Sequence, residues 1–305
     1  MATYKILISD GLDADAVELM KGQPSLAITL KSKMTPEELL AEIPAYHAIV
    51  VRSASKVTRP VIEAGVNLKL ITRAGVGLDN VDQVAAREKG IEVRNTPTCT
   101  SISVAELAFG MMLSLARHVG KANISMKNGE WNKKAYMGTE LYGKTLGLIG
   151  SGRIGQSVAV RAQAFGMSIL AYDKFATESP LPIIKMVSLD ELLENSDYIS
   201  LHIPFDKEAG PTLTAKEFGK MKKGAYLINC ARGGTVAEKD LLQALEAGTI
   251  AGAAIDVWEK EPTENVTLAK HPNVLATPHL GASAQEGQAR TGMDVANIII
   301  ETFAK

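Results

Sequence analysis

The sequence predicts an α/β protein made of two doubly wound parallel-sheet domains. Three observations carry that expectation. Short apolar, β-branched runs recur along the chain between polar residues or glycine, as strands buried on both faces should. Segments with helix-start signals separate them. The alternation occurs on both sides of a long apolar helical stretch, so 305 residues read as two domains.

The first series holds the strands "YKILIS", "HAIVV", "LKLIT" and, after Gly90, "IEVRN". Among its helices, "TPEELL" places Thr35 at the N-cap, Pro36 at the first helical position and Glu38 where it closes a capping box. "SISVAELAFGMMLSLARHVG" predicts a buried helix from about Ser103 to Val119 that joins the two domains, its ends too polar to span a membrane. The loop "NGEWNKKAYMGTEL" follows. The second series is "KTLGLIG", "SILAYD", "DYISLHIP", "GAYLINC", "AGAAIDVW" and "NVLATPH". Its helix starts are marked by Ser188 with Glu191, Thr214 with Glu217, and Ser283 with Glu286. The last helix, from about Ala284, is expected to fold back on the first domain and make it discontinuous.

Composition narrows the function classes. Apolar residues make up 46% of the chain, enough for a sizeable core and too many for a disordered protein. A formal net charge of -1 points to neither nucleic acid nor an acidic membrane as partner. Cys99 and Cys230 stand in no metal-ligand or redox spacing, so no metal is expected and a reducing cytoplasm is the natural compartment. "MATYKILISDGLD" lacks the features of a signal peptide, and no apolar run approaches the ~20 residues that cross a bilayer.

"TLGLIGSGRIGQSVAVRAQAFGMSILAYD" supplies the sharpest local signal. A lone G-x-G-x-x-G is weak, since glycine-rich turns often serve structure only. Here Gly150, Gly152 and Gly155 follow a strand, open a helix, and precede a second strand that ends in Asp173. Gly150 permits the tight turn, Gly152 lets a pyrophosphate approach the backbone, and Gly155 lets helix and strand pack closely. The helix N-terminus then offers free N–H groups and a positive dipole end to phosphates. Asp173 can accept hydrogen bonds from a ribose and would repel a 2′-phosphate, so NAD is favoured over NADP, although Lys174 softens that preference.

Hydride transfer to a nicotinamide also needs an acid/base, a cation for substrate oxygens, and exclusion of water. Three residues just beyond strands are candidates. Arg232, in "NCARGGTV", can present a planar fork to a carboxylate; read alone, it is a solvated loop arginine. Glu261, in "DVWEKEP", reads alone as a solvated loop acid, like Glu259, with Pro262 biasing it towards extended backbone. His279, in "NVLATPHLGAS", reads alone as a structural histidine. The balance changes if Glu261 reaches it. A carboxylate beside an imidazole stabilises the imidazolium and fixes which nitrogen faces substrate. At ~4 Å and an effective dielectric of ~20 the attraction is about 4 kcal/mol before desolvation, enough to alter protonation at neutral pH. His47, His118 and His271 lack such partners, and His202, in "LHIP", ends a strand beside the cradle and shapes that site.

Together "VRSASKVT", "RAGVGLDNVD", "SVAELAFG", "GTELYGKTLGLIGSGRIG", "NCARGG", "DVWEKEP" and "PHLGAS" give the chain its resemblance to the D-isomer-specific 2-hydroxyacid dehydrogenases, nearest their phosphoglycerate branch. The resemblance covers essentially the whole chain. It implies a flavodoxin-like substrate domain over 1–96 plus 283–305 and a Rossmann NAD-binding domain over 97–282. It implies Arg232 as substrate-orienting cation, His279 as acid/base and Glu261 as its partner. Beyond the three cradle glycines, it implies an NAD site lined by Val76, Val104, Arg153, Ile154, Asp173, His202, Pro204, Cys230, Ala231 and Asp256. Backbone N–H groups of Gly75, Val76 and Gly77 are expected to bind the substrate carboxylate as an anion nest, whereas a plain turn would explain only the glycines. Arg52 and Ser53 are expected at the substrate's far end. Lys133, with Lys134, matches a basic spot that can reach a neighbouring subunit's site, or is a solvated charge.

The expected activity is NAD-dependent oxidation of D-3-phosphoglycerate to 3-phosphohydroxypyruvate for serine synthesis, in a cytoplasmic homodimer. The alternatives are a glyoxylate/hydroxypyruvate reductase or another 2-hydroxyacid dehydrogenase, and, outside enzymes, an NAD-responsive co-repressor. Thr100 stands where many of the phosphoglycerate branch carry asparagine, and no C-terminal regulatory domain with serine feedback is expected.

Overall fold

Two sheets, each built of parallel strands, organise the chain. The structure is a computed structural model that describes residues 3–32 and 34–304. It divides into two units, 1–100 with 282–305, and 101–281. In chain order the first runs β1 (Tyr4–Ile8), α1 (Ala14–Lys21), β2 (Leu26–Leu30), α2 (Pro36–Glu42) and β3 (Ala48–Val51). It continues through α3 (Arg59–Ala64), β4 (Leu70–Arg73), α4 (Gln83–Glu88) and β5 (Glu92–Asn95). The second begins with α5 (Ser101–Ala116), α6 (Val119–Lys127), β6 (Thr145–Ile149), α7 (Arg153–Ala164) and β7 (Ser168–Tyr172). Next come β8 (Ile184–Met186), α8 (Leu189–Asn195), β9 (Tyr198–Leu201), α9 (Ala215–Phe218) and β10 (Ala225–Asn229). It closes with α10 (Glu238–Glu246), β11 (Ile250–Ile255), α11 (Val266–Ala269) and β12 (Val274–Ala276). The final helix α12 (Gln285–Phe303) belongs to the first unit.

The first unit's sheet has the order β2-β1-β3-β4-β5, which is the flavodoxin-like order. Its strands alternate between two cores because side chains along a strand point to opposite faces. Ile6, Ile8 and Val50 pack with Val17 and Met20 of α1 and Val295 and Ile299 of α12. Leu7, Ile49 and Val51 pack on the other side with Leu39, Val61, Ile62 and Ala85. Each such apolar side chain, once buried, stabilises the fold by about 1.5–3 kcal/mol. The return of α12 needs a small residue: a Cβ on Gly292 would stand 2.6 Å from Asp13 Cβ and 3.1 Å from Ala16 Cβ.

The second unit's sheet has the order β12-β11-β10-β9-β6-β7-β8, doubly wound about β6. One face is covered by α5 and α7, with Ala105, Met112, Val158 and Ala162 in that core. The other carries α8, α9 and α10, with Leu192, Phe218 and Leu241.

Several local expectations are corrected. The helix expected from Ser103 to Val119 starts at Ser101 and breaks after Ala116, where His118 turns left-handed (φ 54) and α6 departs at 67°. α5 lies wholly in the second unit, so it is a core helix of that unit and not a connector. No single helix among the described residues is long and apolar enough to cross a membrane; the bent pair α5–α6 passes that test by length and composition only, and ten residues of α5 are buried. Thr35 and Thr214 close capping boxes and Ser188 accepts from the Glu191 N–H, but Ser283 does not cap α12. Ala284 holds that position, because the helix begins one residue later. Strands β2 and β8 escaped the sequence reading: both lie at sheet edges and are half-exposed, and β8 is only three residues long. The two units divide after Thr100 and after Gly281. Cys99 explains the first, since its carbonyl accepts from Arg290 Nε of α12 at 3.1 Å and its thiol faces Asp294 Oδ2 at 3.3 Å.

Candidate active site

In the second unit the strand order reverses between β6 and β9, and such a reversal opens a crevice at the carboxyl ends of the strands. The turn after β6 fills it. Gly150 takes φ 102, and a Cβ there would stand 2.6 Å from the His202 carbonyl oxygen. A Cβ on Gly155 would strike the Gly150 carbonyl oxygen. Gly152 is the reverse case: no heavy atom lies within 4 Å of where its Cβ would be, and as N-cap of α7 it supplies no side-chain cap. An uncapped helix end facing open space is what a pyrophosphate requires. Asp173, after β7, accepts from Ser151 N–H (2.9 Å), Ser151 Oγ–H (3.2 Å) and the Phe175 N–H (2.9 Å). Burial alone would raise its pKa, but those donors hold the carboxyl below its ordinary value, so it is an anion beside the cradle. These residues fit a dinucleotide. Arg153 is exposed and Ile154 packs partly into the core below.

His202 follows β9. Its Nε2 meets Ser200 Oγ at 2.9 Å, while its buried Nδ1 has no hydrogen-bond partner among the described residues. Burial pushes its pKa down to about 4, so the ring is neutral at physiological pH. Pro204 is exposed two residues on. After β10, Cys230 and Ala231 are each 6% exposed. The Cys230 thiol lies 3.6 Å from Met111 Sδ; burial and then the charge of Asp256 push its pKa up, so it is no nucleophile.

Arg232 stands in a turn tied by buried polar groups. Asn229 Oδ1 accepts from the Ala231 N–H, Asn229 Nδ2 donates to Thr235 Oγ1, and Thr235 Oγ1 donates to the Arg232 carbonyl. The guanidinium Nη1 donates to the Ala231 carbonyl at 2.7 Å.

Asp256, fully buried after β11, shapes the histidine turn. Its Oδ1 accepts from Thr277 Oγ1 and the Leu280 N–H, both at 2.6 Å, and its Oδ2 from the Gly281 N–H at 2.9 Å. The His279 N–H donates to its carbonyl at 2.8 Å. His279 thereby sits left-handed (φ 56), a conformation uncommon outside glycine that persists where surroundings over-determine it. Val104 of α5 lies beside the same turn, 3.3 Å from where a Gly281 Cβ would be.

Glu261 Oε2 meets His279 Nδ1 at 2.7 Å, and Glu261 Oε1 accepts from the Trp258 N–H at 3.1 Å. The Glu261–Pro262 bond is cis. The hydrogen bond that His279 Nδ1 donates to Glu261 raises the His279 pKa above its ordinary value against the opposing effect of burial. Burial would raise the Glu261 carboxyl, but the His279 and Trp258 hydrogen bonds and the charges of His279 and Arg232 leave it lowered. Nδ1 is thus engaged by a carboxylate, so Nε2 is the nitrogen left for other chemistry. The Arg232 charge acts on both members of the pair, so the three residues share one electrostatic site.

Sequence reasoning missed the supports. Glu259, expected to be a solvated acid, accepts the Glu238 N–H at 2.9 Å. Trp258 carries three ties: its N–H to Glu261, its indole N–H to the Thr277 carbonyl at 3.1 Å, and its carbonyl against Gly233. Asn229 and Thr235 act within their own turn, where a polar residue gives no sign that it is buried, and Glu238 acts on a loop 21 residues away that only the sheet brings near.

Lys133 opens an exposed 3-10 turn (Lys133–Tyr136) of the second unit. In the first unit, Arg52 and exposed Ser53 follow β3, where Asp10 accepts the Arg52 N–H at 2.7 Å and Asn80 donates to the Arg52 carbonyl at 2.7 Å. The Gly75–Gly77 turn follows β4. Gly75 takes φ 140, a Cβ there would strike Arg73 Nη1, and the Val76 carbonyl accepts from Asn95 Nδ2 at 2.5 Å.

Residues 109–281 match the family model for the D-isomer specific 2-hydroxyacid dehydrogenase, NAD binding domain. The chain is 47% identical over 304 residues to the hydroxypyruvate reductase of Thermotoga maritima, covering 99% of both. It is 45% identical over 298 residues to the D-3-phosphoglycerate dehydrogenase of Methanocaldococcus jannaschii, covering 97% of this chain but 56% of that one. Among solved structures, the D-lactate dehydrogenase of Aquifex aeolicus complexed with NAD and lactic acid is similar at TM-score 0.87 and 29% identity, over 97% of this chain and 95% of that one. A glyoxylate reductase from Paecilomyes thermophila is similar at TM-score 0.88 and 31% identity, over 99% and 96%.

Proposed function

Since the chain belongs to the D-isomer-specific 2-hydroxyacid dehydrogenase family, with NAD as cofactor, we propose that it interconverts D-3-phosphoglycerate and 3-phosphohydroxypyruvate on the way to serine. The observation that carries the chemistry is the 2.7 Å contact of His279 Nδ1 with Glu261 Oε2 beside Arg232. NAD, when bound, supplies the nicotinamide carbon that accepts hydride from C2 of the hydroxy acid. His279 Nε2, neutral, takes the C2 hydroxyl proton as the alcohol is oxidised, and as imidazolium returns it in reduction. Glu261 stabilises that imidazolium through Nδ1. Arg232 holds the carboxylate and C2 oxygen with a permanent planar charge. A raised His279 pKa extends the acid form to higher pH than in a free imidazole, so reduction is favoured on the low-pH side of that value and oxidation on the high-pH side.

The cradle Gly150, Gly152, Gly155 with Arg153, Ile154 and Asp173 is assigned to the dinucleotide, together with Val104, His202, Pro204, Cys230, Ala231 and Asp256. Gly75, Val76 and Gly77 are assigned to the substrate carboxylate and Arg52, Ser53 and Lys133 to its far end. A second reading, hydroxypyruvate reduction, is favoured by the match over the full length of the Thermotoga maritima relative. A panel of kcat/KM values decides between them. Phosphohydroxypyruvate reduced at least tenfold more efficiently than hydroxypyruvate or glyoxylate supports the first; the reverse order overturns it. Binding of NADH without turnover of any 2-oxo acid would overturn both and leave the co-repressor reading.

The protein is assigned to the cytoplasm as a homodimer. Both cysteines are free thiols. α5 and the segment after α6 are proposed as the dimer surface, where Trp131 and Met137 are 80% and 84% exposed. Sedimentation that finds only monomer at working concentration would refute it.

A further inference from the structure

The geometry assigns Glu238 as a positioning residue for the Glu261–His279 pair, a role that rests on the acid–base reading above. Glu238 opens α10 and is 8% exposed, an uncommon place for a carboxylate unless its oxygens are satisfied. They are. Oε1 accepts the Glu259 N–H at 2.6 Å, and Oε2 accepts from Asn265 Nδ2 at 2.7 Å. Glu259 returns the contact, its own Oε1 accepting the Glu238 N–H at 2.9 Å. Ala237, the N-cap of α10, offers no side-chain cap, so a glutamate from another loop does that work.

This ring of two carboxylates and two backbone N–H groups grips the loop on both sides of Glu261, at residue 259 before it and residue 265 after it. Without it, the loop would keep the Trp258 N–H bond to Glu261 but lose its attachment to the first turn of α10. A 2.7 Å charge-assisted bond tolerates little displacement, so drift of the loop weakens the contact with His279. A plain helix cap would predict something else: lower stability with the imidazole unaffected.

The groups facing His279 are Glu261 from this loop, Asp256 after β11 and Arg232 after β10. Asp256 and Arg232 are held by contacts that do not involve Glu238. Titration of the ring therefore reports on Glu261.

The test is an NMR titration of the His279 ring in the full chain, assigned with His279→Gln, for wild type, Glu238→Ala, Glu238→Gln and Glu259→Ala. Unfolding temperature, NADH affinity and the pH profile of kcat/KM are measured alongside. Glu238→Ala is expected to move the His279 midpoint down towards 6.5 and the pH limb of kcat/KM with it, with kcat lower by about tenfold and NADH affinity within twofold. Glu238→Gln, whose amide oxygen still accepts the Glu259 N–H but whose NH2 cannot accept from Asn265 Nδ2, should shift the midpoint clearly less than alanine does. Glu259→Ala, on the exposed side of the ring, should shift it in the same direction by less, and serves if Glu238→Ala does not fold. The assignment is overturned if neither alanine variant moves the midpoint, or if Glu238→Gln moves it as far as alanine does. The titration needs no turnover, so a chain inert towards 2-hydroxy acids would sink the proposed function and leave this result readable.

Discussion

His279 Nδ1 stands 2.7 Å from Glu261 Oε2, a contact between residues 18 apart in sequence that leaves Nε2 outside this hydrogen bond. Replacing His279 with glutamine keeps an amide near Glu261 but removes the proton carrier. Turnover should fall by about 10²–10⁴-fold, the usual worth of general acid–base catalysis. NADH affinity, set by the cradle, should stay nearly constant. Steady-state kinetics with a fluorescence titration of NADH checks both, and turnover surviving within a few-fold refutes the role.

Glu261→Gln should move the pH dependence in a definite direction. On the proposed roles, wild-type oxidation should rise as pH passes through the raised His279 pKa, and reduction should fall over the same range. In the variant both limbs shift to lower pH, towards 6.5. Stability follows the same linkage. The His279 contribution is complete below 6.5 and is lost as pH rises through the raised folded value, and the Glu261 contribution is complete above 4.5 and is lost as pH falls through its lowered one. The pair therefore contributes most between pH 4.5 and 6.5. With side chains 43% and 38% exposed, that contribution is about 1 kcal/mol or less. Profiles that superimpose on wild type would exclude the coupling.

Arg232→Lys keeps a charge but loses the fork. Loss of a paired hydrogen bond to a charged group costs about 1.5–3 kcal/mol, so kcat/KM for the 2-oxo acid should fall roughly 10–100-fold. Unfolding temperature should change little. An unaltered kcat/KM would show that the substrate carboxylate is held elsewhere.

Two glycine variants separate packing from cofactor contact. Gly155→Ala places a methyl on the Gly150 carbonyl oxygen, so stability should drop by about 1–3 kcal/mol along with NADH affinity. Gly152→Ala meets no protein atom within 4 Å. Its unfolding temperature should match wild type while NADH binding weakens at least about tenfold, since a methyl there blocks the approach of a pyrophosphate. Equal NADH affinity in Gly152→Ala would remove the phosphates from this turn.

His202 is buried neutral, with a pKa of about 4 against 6.5 when unfolded. The unfolded chain takes up the proton first, so this histidine lowers stability as pH falls from 6.5 to about 4, by up to about 3 kcal/mol. His202→Gln cannot titrate and should flatten that part of the acid-unfolding curve. A slope equal to wild type would mean the ring is open to solvent.

The sequence by itself determined what neighbouring residues settle among themselves. Buried strands are visible as apolar runs, the capping boxes of Thr35 and Thr214 lie within one helical turn, and the glycine turn with Asp173 is a single strand–turn–helix–strand unit. Only the tertiary structure decided what depends on distant segments meeting. Parallel strands β10, β11 and β12 lie side by side, about 4.8 Å apart, so their carboxyl ends bring Arg232, Glu261 and His279 into one site. The left-handed turn at His279 exists because buried Asp256 accepts from four positions around it, and Glu259 is bonded because α10 starts beside its loop. The break at His118 likewise has no proline or glycine at the bend to announce it. Propensities act over a few residues, whereas hydrogen bonds between loops need a sheet to set their spacing.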